Sequence, residues 1–263
     1  MDVRLTILGD LRVDDGTTGI ERRMVRGLLA GLAINVNEAV CSARLCERIW
    51  DRPPKSAPAN LRSYAAELRK QLRCTSLRGA VRRDTGGLRL TLDPDDCDVS
   101  AFTRLVRHGH DLLRRDRAEE AASTLGEALR LWHDPPYATL PGSTWLMLEF
   151  DRLRDLMNQA REDRITAQLL LRRYEGLLPE VRRHAALFQD RERSWGRLMQ
   201  VSYLAGDQVG ALAAFDRATE ALSDNFGLDP SPALRRLHLA ILQHDEEAIT
   251  AYCMPATQIP AAT

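Results

Sequence analysis

No run of about 18 consecutive apolar residues occurs in this 263-residue chain, so no helix is expected to cross a bilayer. The opening residues, MDVRLTILGD, lack the basic start and long apolar stretch of a secretory signal, and a cytoplasmic location is expected. The five cysteines (Cys41, Cys46, Cys74, Cys97 and Cys253) are odd in number and form no C-x-x-C pair, which argues against a disulfide framework or a zinc site. His108 and His110 stand two apart on an expected helix, pointing to different faces, and make a poor ligand pair. Asp93–Asp98 (DPDDCD) is acidic but lacks the spacing and terminal Glu of a calcium loop, so it is read as a polar joint with a helix cap. Catalytic signatures are missing too: there is no G-x-S-x-G, no H-E-x-x-H, no G-x-x-x-x-G-K-[ST] and no dinucleotide fingerprint. No catalytic residue, cofactor or metal is therefore expected.

The hydrophobic share of 44% is that of a soluble chain with a real core. A net charge of zero conceals a division. Residues 1–92 carry 17 Lys and Arg against 10 Asp and Glu, a net +7, and residues 93–263 carry the compensating −7. A basic first third joined to an acidic remainder points to a polyanionic partner for the first part only.

The first third mixes strands and helices. Val3–Leu8 and Leu11–Val13 read as short strands about a Gly9-Asp10 turn. Glu21–Asn35 is helical, with Met24, Val25, Leu28, Leu29 and Leu32 at three- and four-residue steps. Ser42 is placed to cap a second helix running to about Trp50, with Leu45, Ile49 and Trp50 inward. The three prolines of Asp51–Pro58 predict a loop, and a third helix follows over about Ala59–Arg73. Period-two Val81, Leu88, Leu90 and Leu92 around Gly86-Gly87 predict a β-hairpin within Ala80–Leu92. Strands, three helices and a hairpin, in that order, describe a winged helix.

After Val99 the chain reads as helices with short breaks. Ala121, Leu125 and Ala128 repeat the spacing of Ala211, Phe215 and Ala218. Leu105, Gly109 and Leu112 precede the first set; Trp195, Leu198 and Gly206 precede the second. This pattern resembles the tetratricopeptide repeat, whose small residues let paired helices pack closely. Asp151–Arg172 is expected to supply a further helix, and Met254–Thr263 a frayed tail. The predicted fold is mainly α: an N-terminal winged helix-turn-helix domain over 1–93, an all-α tetratricopeptide-like domain over 98–247, and a flexible tail over 248–263.

On a helical wheel the third helix divides sharply. Leu61, Tyr64, Ala65, Leu68 and Leu72 share one arc, a core stripe. The opposite arc holds Arg62, Ser63, Ala66, Arg69, Lys70 and Arg73, basic at its edges and small at its centre. Such a face can sink into a major groove while its long cations reach phosphates or guanine edges. Glu67, on one flank, could accept from a cytosine or pair with a nearby arginine. Arg82, Arg83 and Arg89 lie on or beside the hairpin, a ribbon suited to the minor groove or the backbone. A solvated basic face and a charge-guarded sheet edge are the bland alternatives.

Several segments, in order, carry a resemblance: LTILGDLRV, RRMVRGLLAGLAINVNEAVCSARLCERIWDRPP, ANLRSYAAELRKQL, GGLRLTLDPDDCDVSAFTRLV, EALRLWHDPPYATLPG and GDQVGALAAFDRATEALSDNFGLDPSPALRRLH. Together, from about Val3 to Leu242, the chain resembles the Streptomyces antibiotic regulatory protein family, in which an OmpR-like winged helix is fused to a bacterial transcriptional activator domain. The resemblance implies an activator of a secondary-metabolite gene cluster, bound to direct repeats near a promoter as a dimer or side-by-side pair, and in contact with RNA polymerase. It implies that the third helix enters the major groove, with Arg62, Ser63, Arg69 and Lys70 at the matching outward positions. It also implies that Arg52, Pro53, Pro54, Lys55 and Ser56, in the loop before that helix, meet the polymerase. The chain departs from the family in a shortened DGTTGIERR segment and in Glu67, where a polar or basic residue is common.

Two other readings compete with a DNA-binding activator. A helical-repeat scaffold or ligand sensor would need only the second half, and the basic first third argues against it. An enzyme would need a constellation that the sequence does not show.

Overall fold

The computed structural model describes residues 3–14, 20–133, 140–141, 143–174 and 176–252. The chain forms two compact units, residues 1–108 with 124–160, and residues 109–123 with 161–263.

In the first unit, β1 (Leu5–Thr6) pairs antiparallel with β2 (Arg12–Val13), Leu5 opposite Val13. Both strands are shorter than the sequence predicts, because the amides of Ile7 and Leu8 turn to the Asp98 carboxylate, 2.7 Å each, instead of to a strand. Helix α1 (Arg23–Ala33) buries Val25, Leu28, Leu29 and Leu32, the expected stripe. A strand that the sequence reading missed, β3 (Ala39–Cys41), leads directly into α2 (Ser42–Ile49). Ser42 does not cap this helix: Cys41 holds the N-cap position without a side-chain bond, and the Ser42 amide donates to the Gly86 carbonyl, 3.3 Å. The β3 ladder, with Cys41 opposite Gly87, fixes where the helix can begin.

Helix α3 (Ala57–Gln71) starts inside the stretch expected to be loop. Pro58 is tolerated in the first turn, where amides have no intrahelical partner. After a 3-10 turn at Leu72–Cys74 comes the hairpin of β4 (Val81–Asp84) and β5 (Gly87–Leu90). Its turn is Thr85-Gly86 rather than Gly86-Gly87, with Gly86 at φ +81°, a left-handed conformation that glycine adopts without penalty. The sheet order is β3-β5-β4, all antiparallel.

The apolar core of this unit runs on past residue 93. Leu28, Leu32, Leu45 and Leu68 share one buried cluster with Phe102 and Val106 of α4 (Asp98–Arg114), Leu125 and Ala128 of α5 (Ala118–Arg130), and Phe150 of α6 (Thr144–Leu170). Asp98 is only 1% exposed. It accepts from Ile7, Leu8 and its neighbour Val99, so the acidic stretch closes on a buried carboxylate rather than a free linker. Burial pushes this carboxyl from 3.8 up to about 7, against the opposite pull of the Leu8, Ile7 and Val99 amides. Between these two values the folded form holds the proton more readily than the unfolded chain. The stability that this group contributes is therefore present at low pH and is lost as pH rises through about 7. Thermal melts at about pH 5.5 and about pH 8 should show a drop on going to the higher pH that shrinks in Asp98→Asn. An equal drop in the variant would assign it to other groups.

The second unit holds the end of α4, the start of α5 and the later part of α6, followed by α7 (Leu178–Leu187), α8 (Glu192–Leu204), α9 (Gln208–Phe226), α10 (Pro232–Gln243) and α11 (Glu246–Ala251). Helices α8 and α9 pack as a hairpin through the exposed Gly206 at φ +86°. Trp195, Leu198, Ala211 and Ala218 are buried at their contact, the positions the repeat pattern singled out. Phe215 is half-buried and stacks on His238, ring centroids 4.0 Å apart. Side-chain caps begin α9 (Asp207 to the Gly210 amide, 2.8 Å), α10 (Ser231 to Leu234, 3.3 Å) and α11 (Asp245 to Ala248, 3.0 Å). A tail free from residue 248 was expected, but Ile249 is buried and Gln200 donates to the carbonyls of Ile249, Thr250 and Tyr252 at 2.7, 3.1 and 3.2 Å. The expected frayed segment, 254–263, lies outside the described residues, as do Cys253 and most of HDPPYAT. Among the described residues no helix is long and apolar enough to cross a membrane.

Candidate nucleic-acid interface

Helix α3 lies in the first unit with its apolar arc inward: Leu61 is 3% exposed and Leu68 0%, and Tyr64, Ala65 and Leu72 are buried beside them. Tyr64 stacks on Trp50, ring centroids 5.8 Å apart. Arg62, Ser63, Ala66, Lys70 and Arg73 are all exposed on the other side. The amphipathic split read from the wheel is thus the split that the packing produces.

Two residues of the polar side have other engagements. Arg69 is half-buried, and its Nε donates to the Val81 carbonyl of β4, 2.9 Å away, tying the helix to the hairpin. Glu67 accepts from Arg22 at 3.1 Å and from Gln71 at 3.4 Å, while Arg22 also lies over the Tyr64 ring at 4.6 Å. Of the two roles open to Glu67 in the sequence, the structure shows the arginine pair.

On the hairpin, register decides what the sequence could not. Arg82 stands opposite Arg89, and Arg83 opposite Leu88. Arg82 is exposed and donates to the Gly79 carbonyl, 3.2 Å. Arg89 is half-buried and paired with Asp84. The Thr85 amide, ahead of Arg89, holds the Asp84 carboxyl below the usual carboxylate range. Arg83 is exposed on the α3 side, where a cleft of about 440 Å³ opens between helix and hairpin. Ser42, which the sequence reading did not include, also lines this cleft. Nothing local marks it, because β3 brings it there.

The loop before α3 is exposed from Arg52 to Ser56. Its start is fixed: Asp51 accepts from the Thr144 amide at 2.7 Å, Ser143 donates to the Arg48 carbonyl at 2.6 Å, and Arg48 lies over the Trp145 ring at 4.3 Å.

Comparison with known proteins gives this geometry a context. Residues 97–242 match the family model of the bacterial transcriptional activator domain. The transcriptional regulator RedD of Streptomyces coelicolor is 31% identical, over 99% of this chain and 73% of its own. This chain belongs to the Streptomyces antibiotic regulatory protein family of transcriptional activators. The regulatory protein DnrI of Streptomyces peucetius is 27% identical over 92% of this chain and 93% of its own length. The solved structure of Mycobacterium tuberculosis EmbR, in complex with a low affinity phosphopeptide, superposes with a TM-score of 0.83 at 28% identity, covering 95% of this chain and 69% of that one. The mainly helical architecture with small N-terminal antiparallel sheets is the EmbR-like arrangement of the family. Family membership makes the chain a transcriptional regulator; which residues touch DNA is argued from its own surface.

Proposed function

We propose that this regulator activates transcription by binding promoter DNA with α3 in the major groove and the β4–β5 hairpin along the adjoining backbone. One observation carries the reading: the exposed arc of α3 presents Arg62 and Lys70 around the small Ser63 and Ala66, with the opposite arc locked into the core, and Arg73 is exposed in the 3-10 turn that follows, short of the helix expected to reach it. Small side chains at the centre let the helix approach base edges, and cations at the rim neutralise phosphates. Arg82, Arg83 and Arg89 extend the basic surface onto the hairpin, Arg89 with its charge offset by Asp84.

Direct repeats bound by paired protomers, a secondary-metabolite gene cluster as the target, and RNA polymerase met by Arg52, Pro53, Pro54, Lys55 and Ser56 complete the proposal. Exposure of that loop, anchored at its start by Asp51, supports the last of these. Footprinting on the promoters flanking the protein's own gene should protect repeated sites one helical turn apart. Arg62→Ala and Lys70→Ala should each weaken binding to such a site by about tenfold, with a log–log salt slope near −0.9 per neutralised phosphate. Gel shifts unchanged by both substitutions at moderate salt would remove α3 as the recognition helix.

A further inference from the structure

We propose that the cleft between α3 and the β4–β5 hairpin seats a single DNA phosphate between Arg62 and Arg83, and that Arg69 is a positioning residue that sets the cleft's width. This rests on the DNA-binding reading and assigns its parts.

Three arginines line the cleft, yet they are not equivalent. Arg69 has its Nε on the Val81 carbonyl, 2.9 Å, a bond from helix to strand backbone. Arg62, seven residues earlier, falls on nearly the same side of α3, roughly 10 Å along its axis. It is exposed and held in no ion pair among the described residues. Arg83 shares a hairpin face with Val81, Leu88 and Leu90, by the alternation of the strand and the pairing of Arg83 with Leu88 and Val81 with Leu90. Val81 and the two leucines are buried, so this is the core face, and Arg83 stands at its open end.

The remaining lining is apolar at Leu61, Ala65 and Leu88, and open to an anion elsewhere. Gly86 and Gly87 add no side chain, and Ser42 offers a hydroxyl. The one carboxylate, Asp84, is already engaged by Arg89 and by the Thr85 amide at 2.6 Å. A volume of about 440 Å³ admits a phosphate with several waters, each of about 30 Å³. Guanidinium forks match phosphate oxygens in pairs, so two arginines on opposite walls can share one group. That sharing needs the walls at a fixed separation, which the Arg69–Val81 bond supplies.

The test uses the full chain and a fluorescein-labelled, mixed-sequence duplex of about 30 base pairs, because phosphate contacts do not depend on the sequence. Anisotropy is followed across a salt series. Arg62→Ala and Arg83→Ala should each weaken binding and lose part of one phosphate's salt slope. The double variant should lose about 0.9 in slope, one phosphate in all. Arg69→Ala should weaken binding, and Arg69→Gln, which keeps a donor for the Val81 carbonyl but no charge, should recover most of it. Circular dichroism melts confirm that each variant is folded. A slope loss of about 1.8 in the double variant would mean two separate phosphates and overturn the shared seat. Arg69→Gln as weak as Arg69→Ala, with its own slope loss, would make Arg69 a ligand. Absence of binding by the unaltered protein at low salt would overturn the DNA reading itself, a different result from either.

Discussion

Gly87→Ala should destabilise the first unit by about 3 kcal/mol, at the upper end for forcing extra volume into a packed site, and should abolish DNA binding with it. A Cβ at this position would fall 2.6 Å from the Val40 carbonyl carbon and 2.8 Å from the Cys41 Cα, with the Val40 oxygen nearer still. All of these are backbone atoms of β3, so no rotamer change relieves the contact. The strand would have to leave β5, and with it the ladder that places Ser42 and the start of α2. Gly86→Ala is the control next door. Nothing lies within 4 Å of its added methyl, and only the left-handed φ of +81° resists it, a cost of about 1 kcal/mol. Gly196→Ala makes a different contrast: its Cβ would meet the Tyr252 ring, a side chain rather than a backbone. Urea unfolding of the three variants should rank Gly87→Ala as by far the least stable. A midpoint equal to that of Gly86→Ala would show that β3 can yield, and that the hairpin's seat does not depend on it.

The legible parts of this protein were those written in local periodicity. The apolar stripe of α3 and of the 3-10 turn after it could be read directly because Leu61, Tyr64, Ala65, Leu68 and Leu72 recur at helical spacing, and all five are buried. The same holds for Trp195, Leu198, Ala211 and Ala218 in the α8–α9 hairpin. The order and spacing of the segments were enough to identify the family, which the domain match over 97–242 and the relatives support independently. What escaped was set by partners far away in the chain. Strand β3 is three residues long with only Val40 buried, and it exists because β5 pairs with it. A wheel gives the direction of Arg69 but not its neighbour, the Val81 carbonyl. Glu67 finds Arg22 across 45 residues of sequence, and Asp98 finds the Ile7 amide across 91. In the candidate interface, therefore, the sequence identified Arg62, Ser63, Ala66, Lys70 and Arg73 as facing outward, while the half-buried places of Arg69 and Arg89 came only from the tertiary register.

Leu68→Ala should cost the first unit about 3 kcal/mol, within the 2–5 kcal/mol range for emptying a fully buried leucine site. Leu68 is 0% exposed in the cluster that joins α1, α2 and α3, and the backbone around it is fixed by Tyr64 against Trp50 and by Arg69 against Val81. Those anchors limit the collapse that would otherwise shrink the cavity, which places the cost above the transfer term alone. For a unit of this size the melting temperature should fall by roughly 6–12 °C. The functional consequence separates stability from contact. Leu68 faces away from the proposed DNA surface, so at a temperature well below the new midpoint the variant should keep its salt slope, having lost no cation, while its affinity falls only by the fraction unfolded. Arg62→Ala should do the reverse: a stability within about 0.5 kcal/mol of the original, as for other exposed sites, and a smaller slope. Should Leu68→Ala lower the slope as Arg62→Ala does, the inner and outer arcs of α3 would not be independent, and the helix could not be read as a rigid basic face carried on an apolar one.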